Sequence, residues 1–369
     1  MTPRDVMVEA GRRVDGVLDA LMPGVAAPAR MQLRDVATRA SAWATTLTSA
    51  QATLRGGVSA RHLRRAFEGL EVFDVEGAVN DVLWQQAKSR LPSRCIVALD
   101  WHLIPYHGKP ERDESELRRC KAIAGTTWFH GYATVNVVMH GKRYTVAVTF
   151  VRKGETAATT LERILDGVMK RGLRIHRLLA DKGFCTKACI EALRQRSVSF
   201  VIPLALRGRA ARALQQGRGA YATTHVMAGL EIPVAIIVRR NGAKYHRRKP
   251  GNQYFPYLYD GFDASPKAVD KLYRKRGGIE TSYRLSNEAR ARTTTRRPAT
   301  RLLLFSIALI LQNAWITTTW QLSQPTRGRQ GRKHPPGFFP FRHFLQMLAA
   351  ATEHVRHCIL NVTQISGGK

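Results

Sequence analysis

Residues 95–100 read Cys95-Ile96-Val97-Ala98-Leu99-Asp100, a short apolar run that closes on an acid. Residues 177–181 repeat the pattern as Arg177-Leu178-Leu179-Ala180-Asp181. Runs this short and this continuous predict buried strands. A single Asp at the end of a strand reads most simply as a cap for the next turn. Two of them, on strands that the topology sets side by side, project to one edge of the sheet, where open α/β sheets build their sites. Neighbouring carboxylates repel unless a cation lies between them. Oxygen-ligand sites for Mg²⁺ are made in this way.

Working outward, residues 132–139 and 143–151 are two more strands, joined through His140-Gly141-Lys142 as an antiparallel hairpin. Residues 155–171 have helical periodicity, 187–196 form another helix, and 200–205 a fifth strand. The order strand, hairpin, helix, strand, helix, strand predicts an α/β fold with a mixed sheet (α+β in its layering). It is similar to ribonuclease H-like folds. Residues 207–261 interrupt the pattern with strand-like runs at 221–226, 232–239 and 254–259 among basic loops, and read as a β-rich insertion. A long helix over 266–290 and another over 298–320 follow, then a Gly/Pro/Arg linker at 325–340 and an amphipathic helix at 341–362. Residues 1–90 read as helical. Within them, Gly56-Gly57 precedes a basic helix that starts at Ser59 as N-cap, the form of the second half of a helix-turn-helix or of a helix with a solvated basic face. The expected division is 1–90 as a helical, DNA-binding domain; 91–206 with 262–322 as the core; 207–261 as the insertion; and 323–369 as linker and final helix.

A third acid lies in Tyr273-Arg274-Lys275-Arg276-Gly277-Gly278-Ile279-Glu280-Thr281-Ser282-Tyr283-Arg284. On a continuous helix Tyr273, Arg276, Glu280, Tyr283 and Asn287 share one face. Such a face is poor core material. It suits phosphate and metal, because Arg binds phosphate bidentately while Glu completes a metal site; the plain alternative is a surface helix with local ion pairs.

These residues resemble three motifs of the DDE transposases of bacterial and archaeal insertion sequences. The segment Ala98–Pro110, ALDWHLIPYHGKP, resembles the first-Asp block. Leu178–Phe184, LLADKGF, resembles the second-Asp signature. Tyr273, Arg276 and Glu280 match the pattern Y-x2-R-x3-E-x6-K in identity and spacing, while its Lys position holds Asn287, for which Arg284 or Arg290 stands nearby. The resemblance covers roughly residues 95–320 and includes the inserted strands. It implies a ribonuclease H-like catalytic core in which Asp100, Asp181 and Glu280 hold two Mg²⁺ ions, with Mn²⁺ as substitute. Those ions would act on the attacking and leaving oxygens of an in-line phosphodiester displacement. Water would free a 3′-hydroxyl at the element end, and that hydroxyl would attack target DNA. The implied partners are double-stranded DNA, as terminal repeats and target, and a second copy of the chain when the ends are synapsed.

Composition agrees with such a partner. The chain has 369 residues, with 59 Lys+Arg against 27 Asp+Glu, a formal charge of +32. An apolar fraction of 44% is enough for a core, so the charge belongs to a folded protein that needs a polyanion. The excess concentrates at residues 207–249, 274–301 and 327–333. Arg239, Arg240, Arg247 and Arg248 in the first region, and Tyr273, Arg276, Arg284 and Lys109 around the motifs, are the expected DNA contacts. His102, two residues after Asp100, is expected beside the acids or as a structural histidine. The aromatics at 254–259 read as insertion core, and no Trp lies between Asp181 and Glu280. Cys185 with Cys189, and His354 with His357, lack the second half of a zinc site. Five cysteines, odd in number, argue against a disulfide framework, and a cytoplasmic, nucleoid-associated protein is expected. The most apolar run, residues 302–311, is about half the ~20 residues of a spanning helix and reads as a core helix under the catalytic sheet. Two further functions fit the same residues: a domesticated transposase that only binds DNA, and a ribonuclease H-like nuclease without strand transfer.

Overall fold

The protein was analysed as a computed structural model that describes residues 3–54, 59–139, 141–205, 208–217, 219–240, 252–322 and 339–356. From the N-terminus it forms α1 (Pro3–Leu21), α2 (Ala27–Ala42), α3 (Leu47–Ala52), α4 (Ala60–Glu68) and α5 (Val72–Ala87). Next come β1 (Cys95–Pro105), β2 (Arg118–Ile123), β3 (Thr126–Met139), β4 (Lys142–Val151), α6 (Ala157–Lys170), β5 (Ile175–Ala180), α7 (Lys187–Gln195) and β6 (Phe200–Pro203). The remainder is α8 (Gly208–Ala213), β7 (Tyr221–Met227), β8 (Leu230–Arg240), β9 (Asn252–Asp260), α9 (Pro266–Arg274), α10 (Ile279–Glu288), α11 (Pro298–Leu322) and α12 (Phe341–Arg356). Two compact units result. One holds Met1–Gln86, Gly108–Arg112 and Tyr283–Lys369, and the other Ala87–His107 and Asp113–Ser282.

The first unit is helical. Its centre is α11, which packs on α1, α2 and α12. That helix is long and apolar enough to cross a bilayer by composition, yet 89% of its most apolar window is buried inside the protein. Residues 302–311, read from the sequence as a core helix, lie within α11, the core of the helical unit. The Arg39 side chain, on α2, is buried at 1% exposure among polar partners. It donates to Thr53 Oγ1 at 2.7 Å, Thr352 Oγ1 at 3.2 Å and Glu353 Oε1 at 3.2 Å, and its guanidinium lies 3.7 Å from the Trp43 ring centroid. It thereby ties α2 to the turn after α3 and to α12. Ser59 caps α4 as expected, accepting the His62 N–H at 3.2 Å; Gly56 and Gly57 lie outside the described residues.

The second unit is one mixed sheet in the order β2-β3-β1-β5-β6-β9-β8-β7, with β4 paired to β3. β1 runs antiparallel to β3 and parallel to β5, and β5 parallel to β6. This is the mixed α/β fold that the strand order predicts. Parallel neighbours need crossovers, which α6 and α7 provide. Both are amphipathic and capped, with Thr156 and Thr186 accepting the Thr159 and Cys189 N–H groups. The inserted strands continue the sheet: β9 pairs antiparallel with β6 from Phe200↔Asp260 to Pro203↔Tyr257, and β8 and β7 follow outward. β2 is not foreseen by hydrophobic periodicity, because its residues are mostly exposed. It turns into β3 through Ala124 and Gly125, both at positive φ (51° and 80°), the backbone form of a tight hairpin.

The helix expected over 266–290 is broken. α9 ends at Arg274, residues Lys275–Gly278 form a 3₁₀ turn, and α10 starts at Ile279. Two consecutive glycines, Gly277 and Gly278, lower helical propensity by about 1 kcal/mol each relative to Ala. Gly278 also lets the Arg143 guanidinium pack onto its backbone, where a Cβ would collide. Consequently Tyr273, Arg276, Glu280, Tyr283 and Asn287 do not form one face: Tyr283 is buried, while Glu280 and Asn287 are exposed.

Candidate active site

The pairing of β1 with β5 ends at Leu99↔Ala180, so Asp100 and Asp181 each stand one residue beyond the last parallel pair. β1 continues to Pro105 against β3 alone, with Asp100 opposite Thr134. Asp100 therefore lies where β1 outruns its parallel neighbour, at the opening the sheet leaves there. Asp181 opens the turn Lys182–Phe184. Phe184 anchors that turn: it is buried, and its ring meets Trp101 edge-on at 5.5 Å between centroids. The apolar residue of the second motif thus packs on the residue that follows Asp100, and this contact helps hold the two acids together.

Between the carboxylates lies Arg276. Its Nη2 is 2.8 Å from Asp100 Oδ1 and 3.9 Å from Asp181 Oδ1. Asp100 is 8% exposed and accepts the Trp101 backbone N–H at 2.9 Å. Burial pushes its pKa up to about 6; Arg276 opposes that rise and Asp181 adds to it. Tyr273 completes the cluster. The Arg276 guanidinium carbon lies 6.0 Å from its ring centroid. Burial, reinforced by the nearby acids and opposed by Arg276, raises the Tyr273 pKa to about 12. The cluster is two carboxylates with one cation between them, which is the balance that paired acids require.

Hard oxygen donors that already share a positive charge suit a divalent cation. Asp100 and Asp181 are the residues placed to hold one. Among the described residues, no group of three His, Cys, Asp or Glu converges. Glu280, in the first turn of α10, is exposed and stands outside the pair's immediate cluster. His102 shares the Asp100 face of β1 by strand alternation, is half-buried, and lies opposite Tyr132.

The other expected contacts scatter. Lys109 and Arg284 are exposed on the helical unit. Arg239 is engaged internally, with Nη2 at 2.9 Å from Asp270 Oδ1 and its guanidinium 4.5 Å from the Phe255 ring centroid. The Arg240 side chain lies outside the described residues, as do Arg247 and Arg248. Tyr257 is buried, in keeping with an insertion core. Burial raises the thiol pKa values of Cys185 and Cys189, as fits structural cysteines. His354 and His357 fall outside the described side chains.

Three residues in the same unit as the acids escape sequence reasoning. Arg143, from β4, donates to the Lys275 carbonyl at 3.2 Å and braces the 3₁₀ turn. Thr134 begins a buried polar row, accepting from Asn136 Nδ2 at 3.0 Å, while Asn136 Oδ1 accepts from Thr145 at 2.8 Å. Asp270 is buried on α9. Each depends on partners remote in sequence or on strand register. The charged side chains in strand and helix interiors (Arg143, Asp270) were the available signal.

Residues 91–313, more than half of the chain, match the family described as Transposase DDE domain. No curated protein matches the chain. Among solved structures it is similar to the piggyBac transposase in its synaptic complex with hairpin DNA, determined by cryo-EM. That likeness has 14% identity and a TM-score of 0.52, and covers 80% of this chain and 61% of that one. At this identity it speaks to the fold, and the chain spans about three fifths of the length of the piggyBac chain.

Proposed function

Because the chain belongs to the transposase DDE domain family, we propose that it cuts DNA at the ends of a bacterial or archaeal insertion sequence and joins those ends to target DNA. The proposed subgroup is that of the Y-x2-R-x3-E-x6-K motif. One observation carries the chemistry: Asp100 and Asp181 stand beyond the last pair of adjacent parallel strands and share one cation, Arg276.

Asp100 and Asp181, joined by Glu280, are the proposed ligands of two Mg²⁺ ions, with Mn²⁺ as substitute. When bound, such ions stabilise the attacking and leaving oxygens of an in-line displacement. The chain's own residues orient the DNA. Arg276 and Tyr273 stand beside the acids, where a guanidinium can take a phosphate bidentately. Lys109, Arg239, Arg240, Arg247, Arg248 and Arg284 are proposed phosphate contacts, which position the duplex without reading its sequence. Glu280 begins α10 just after Gly277–Gly278, and these glycines permit the backbone change that would bring it to the pair. His102 sits on the strand face of Asp100 as a supporting residue. Residues 1–90 are proposed to bind DNA as well, the protein to pair with a second copy when synapsed, and its location to be the cytoplasm at the nucleoid.

The test uses the full chain, Mg²⁺ and linear DNA carrying the element's terminal repeats. Wild type should nick and join those ends. Asp100→Asn and Asp181→Asn should each reduce both steps by roughly 10³-fold or more, with end binding retained within about threefold. End binding by wild type without any strand cleavage would overturn the enzymatic reading. Cleavage without joining would leave a nuclease. The second reading, a protein that binds DNA without cutting it, draws on one observation: Glu280 is exposed, and two acids rather than three come together among the described residues.

A further inference from the structure

Asp270 is 8% exposed. Its carboxylate accepts from three side chains on three elements. Arg239 Nη2, from β8, donates to Oδ1 and Oδ2 at 2.9 and 3.1 Å. The Tyr257 hydroxyl, from β9, donates to Oδ1 at 3.0 Å. Arg274 Nε, one turn along α9, donates to Oδ2 at 2.9 Å. Tyr257 then meets Tyr273 ring to ring at 4.9 Å between centroids. Tyr273 in turn faces Arg276, whose guanidinium carbon is 6.0 Å from the Tyr273 ring centroid and whose Nη2 lies between the two acids. An unbroken series of contacts therefore runs from the inserted strands to the acid pair.

The apolar contacts of α9 do not by themselves fix its rotation. Val269 and Leu272 are buried, and the helix packs on β6, β8 and β9. Such contacts are non-directional and tolerate small rotations of a helix about its axis. Hydrogen bonds to a buried carboxylate weaken steeply when bent and do not tolerate them. Positions 270 and 273 are one turn apart, so whatever fixes Asp270 fixes Tyr273 as well.

We propose that Asp270 is a positioning residue: it locks α9 to the inserted strands through Arg239 and Tyr257, and so sets Tyr273 and Arg276 against Asp100 and Asp181. The insertion is then part of the frame of the site as well as a basic surface. The positioning stands on geometry alone; its effect on catalysis rests on the transposase reading above.

Two measurements on the full chain test it. The first is ¹⁵N-arginine NMR of the metal-free protein, with the Arg276 side-chain signal assigned by its loss in Arg276→Lys. In Asp270→Asn that N–H should exchange about tenfold faster or more than in wild type while the fold persists. Arg239→Gln should shift it in the same direction by less. The Arg239 side chain is 40% exposed, so this variant carries the test if Asp270→Asn fails to fold. The second is a double-mutant cycle on end cleavage. Asp270→Asn should lower kcat about 10–100-fold with end binding within about twofold, and should cost little more in an Arg276→Gln background. An Arg276 signal unchanged in both variants, or a full additional cost of Asp270→Asn on top of Arg276→Gln, would overturn the proposal. If wild type cleaves nothing, the transposase reading has failed, and the NMR measurement decides on the positioning by itself.

Discussion

At Asp100 two forces oppose each other on one carboxyl group. Burial and Asp181 favour the protonated form, Arg276 favours the ionised one, and the outcome is a pKa raised from 3.8 to about 6. A folded-state pKa above the unfolded one means that the native protein holds this proton more tightly. The associated stability is therefore present below about pH 4 and is lost as pH rises through about 6. In metal-free protein, Asp100→Asn should stabilise the fold at pH 8 by about 1–3 kcal/mol, at ~1.4 kcal/mol per unit of raised pKa, and by clearly less at pH 5. Urea unfolding at the two pH values measures this; a gain equal at both would show that Asp100 carries no such strain. At this scale the sequence was partly legible. Apolar runs closing on Asp marked Asp100 and Asp181, and the motif spacing marked Tyr273 and Arg276. The partners of Arg276 within the chain were hidden, because motif spacing carries no sign that its guanidinium meets two carboxylates.

At the scale of elements, the buried strands and crossover helices followed from apolar runs and caps. Elements that owe their form to neighbours did not. β2 is an exposed edge strand made by pairing with β3, and at the break between α9 and α10 Arg143 from β4 donates to the Lys275 carbonyl and packs on Gly278. α2 and α12 show the same dependence in the helical unit, since Arg39 reaches Thr352 and Glu353 across more than 300 residues of chain. Arg39→Met keeps much of the volume but leaves Thr53, Thr352 and Glu353 without their donor. Removing one partner from a buried polar set should cost about 2–4 kcal/mol. Thermal unfolding read by tryptophan fluorescence should show the loss; an unchanged midpoint would mean that α2 and α12 are held by apolar packing alone.

At the scale of the whole molecule, the charge of +32 is the dominant quantity. Internal acids neutralise some of it, as Asp270 does for Arg239 and Arg274, and Asp166 for Arg196. The exposed remainder is proposed to hold DNA through phosphates, which makes binding steeply dependent on salt. Replacing exposed Arg284 by Gln should weaken binding to element ends and to unrelated duplexes by the same factor, and should reduce the slope of log K against log[salt] by about 1. A loss confined to element ends would instead assign Arg284 to base recognition.

The sequence by itself determined the buried strands and crossover helices, the two strand-end acids, the basic excess and the resemblance to DDE transposases. All of these rest on local patterns: a run of apolar residues, a spacing, a composition. Only the tertiary structure decided that the inserted strands continue the mixed sheet, that α11 is the core of the helical unit, and that Arg276 lies between the acids while Asp270 ties its helix to β8 and β9. The reason is physical. Register, helix rotation and ion pairing are fixed by contacts between residues far apart in the chain, and a charged side chain carries no local mark of which opposite charge it will meet.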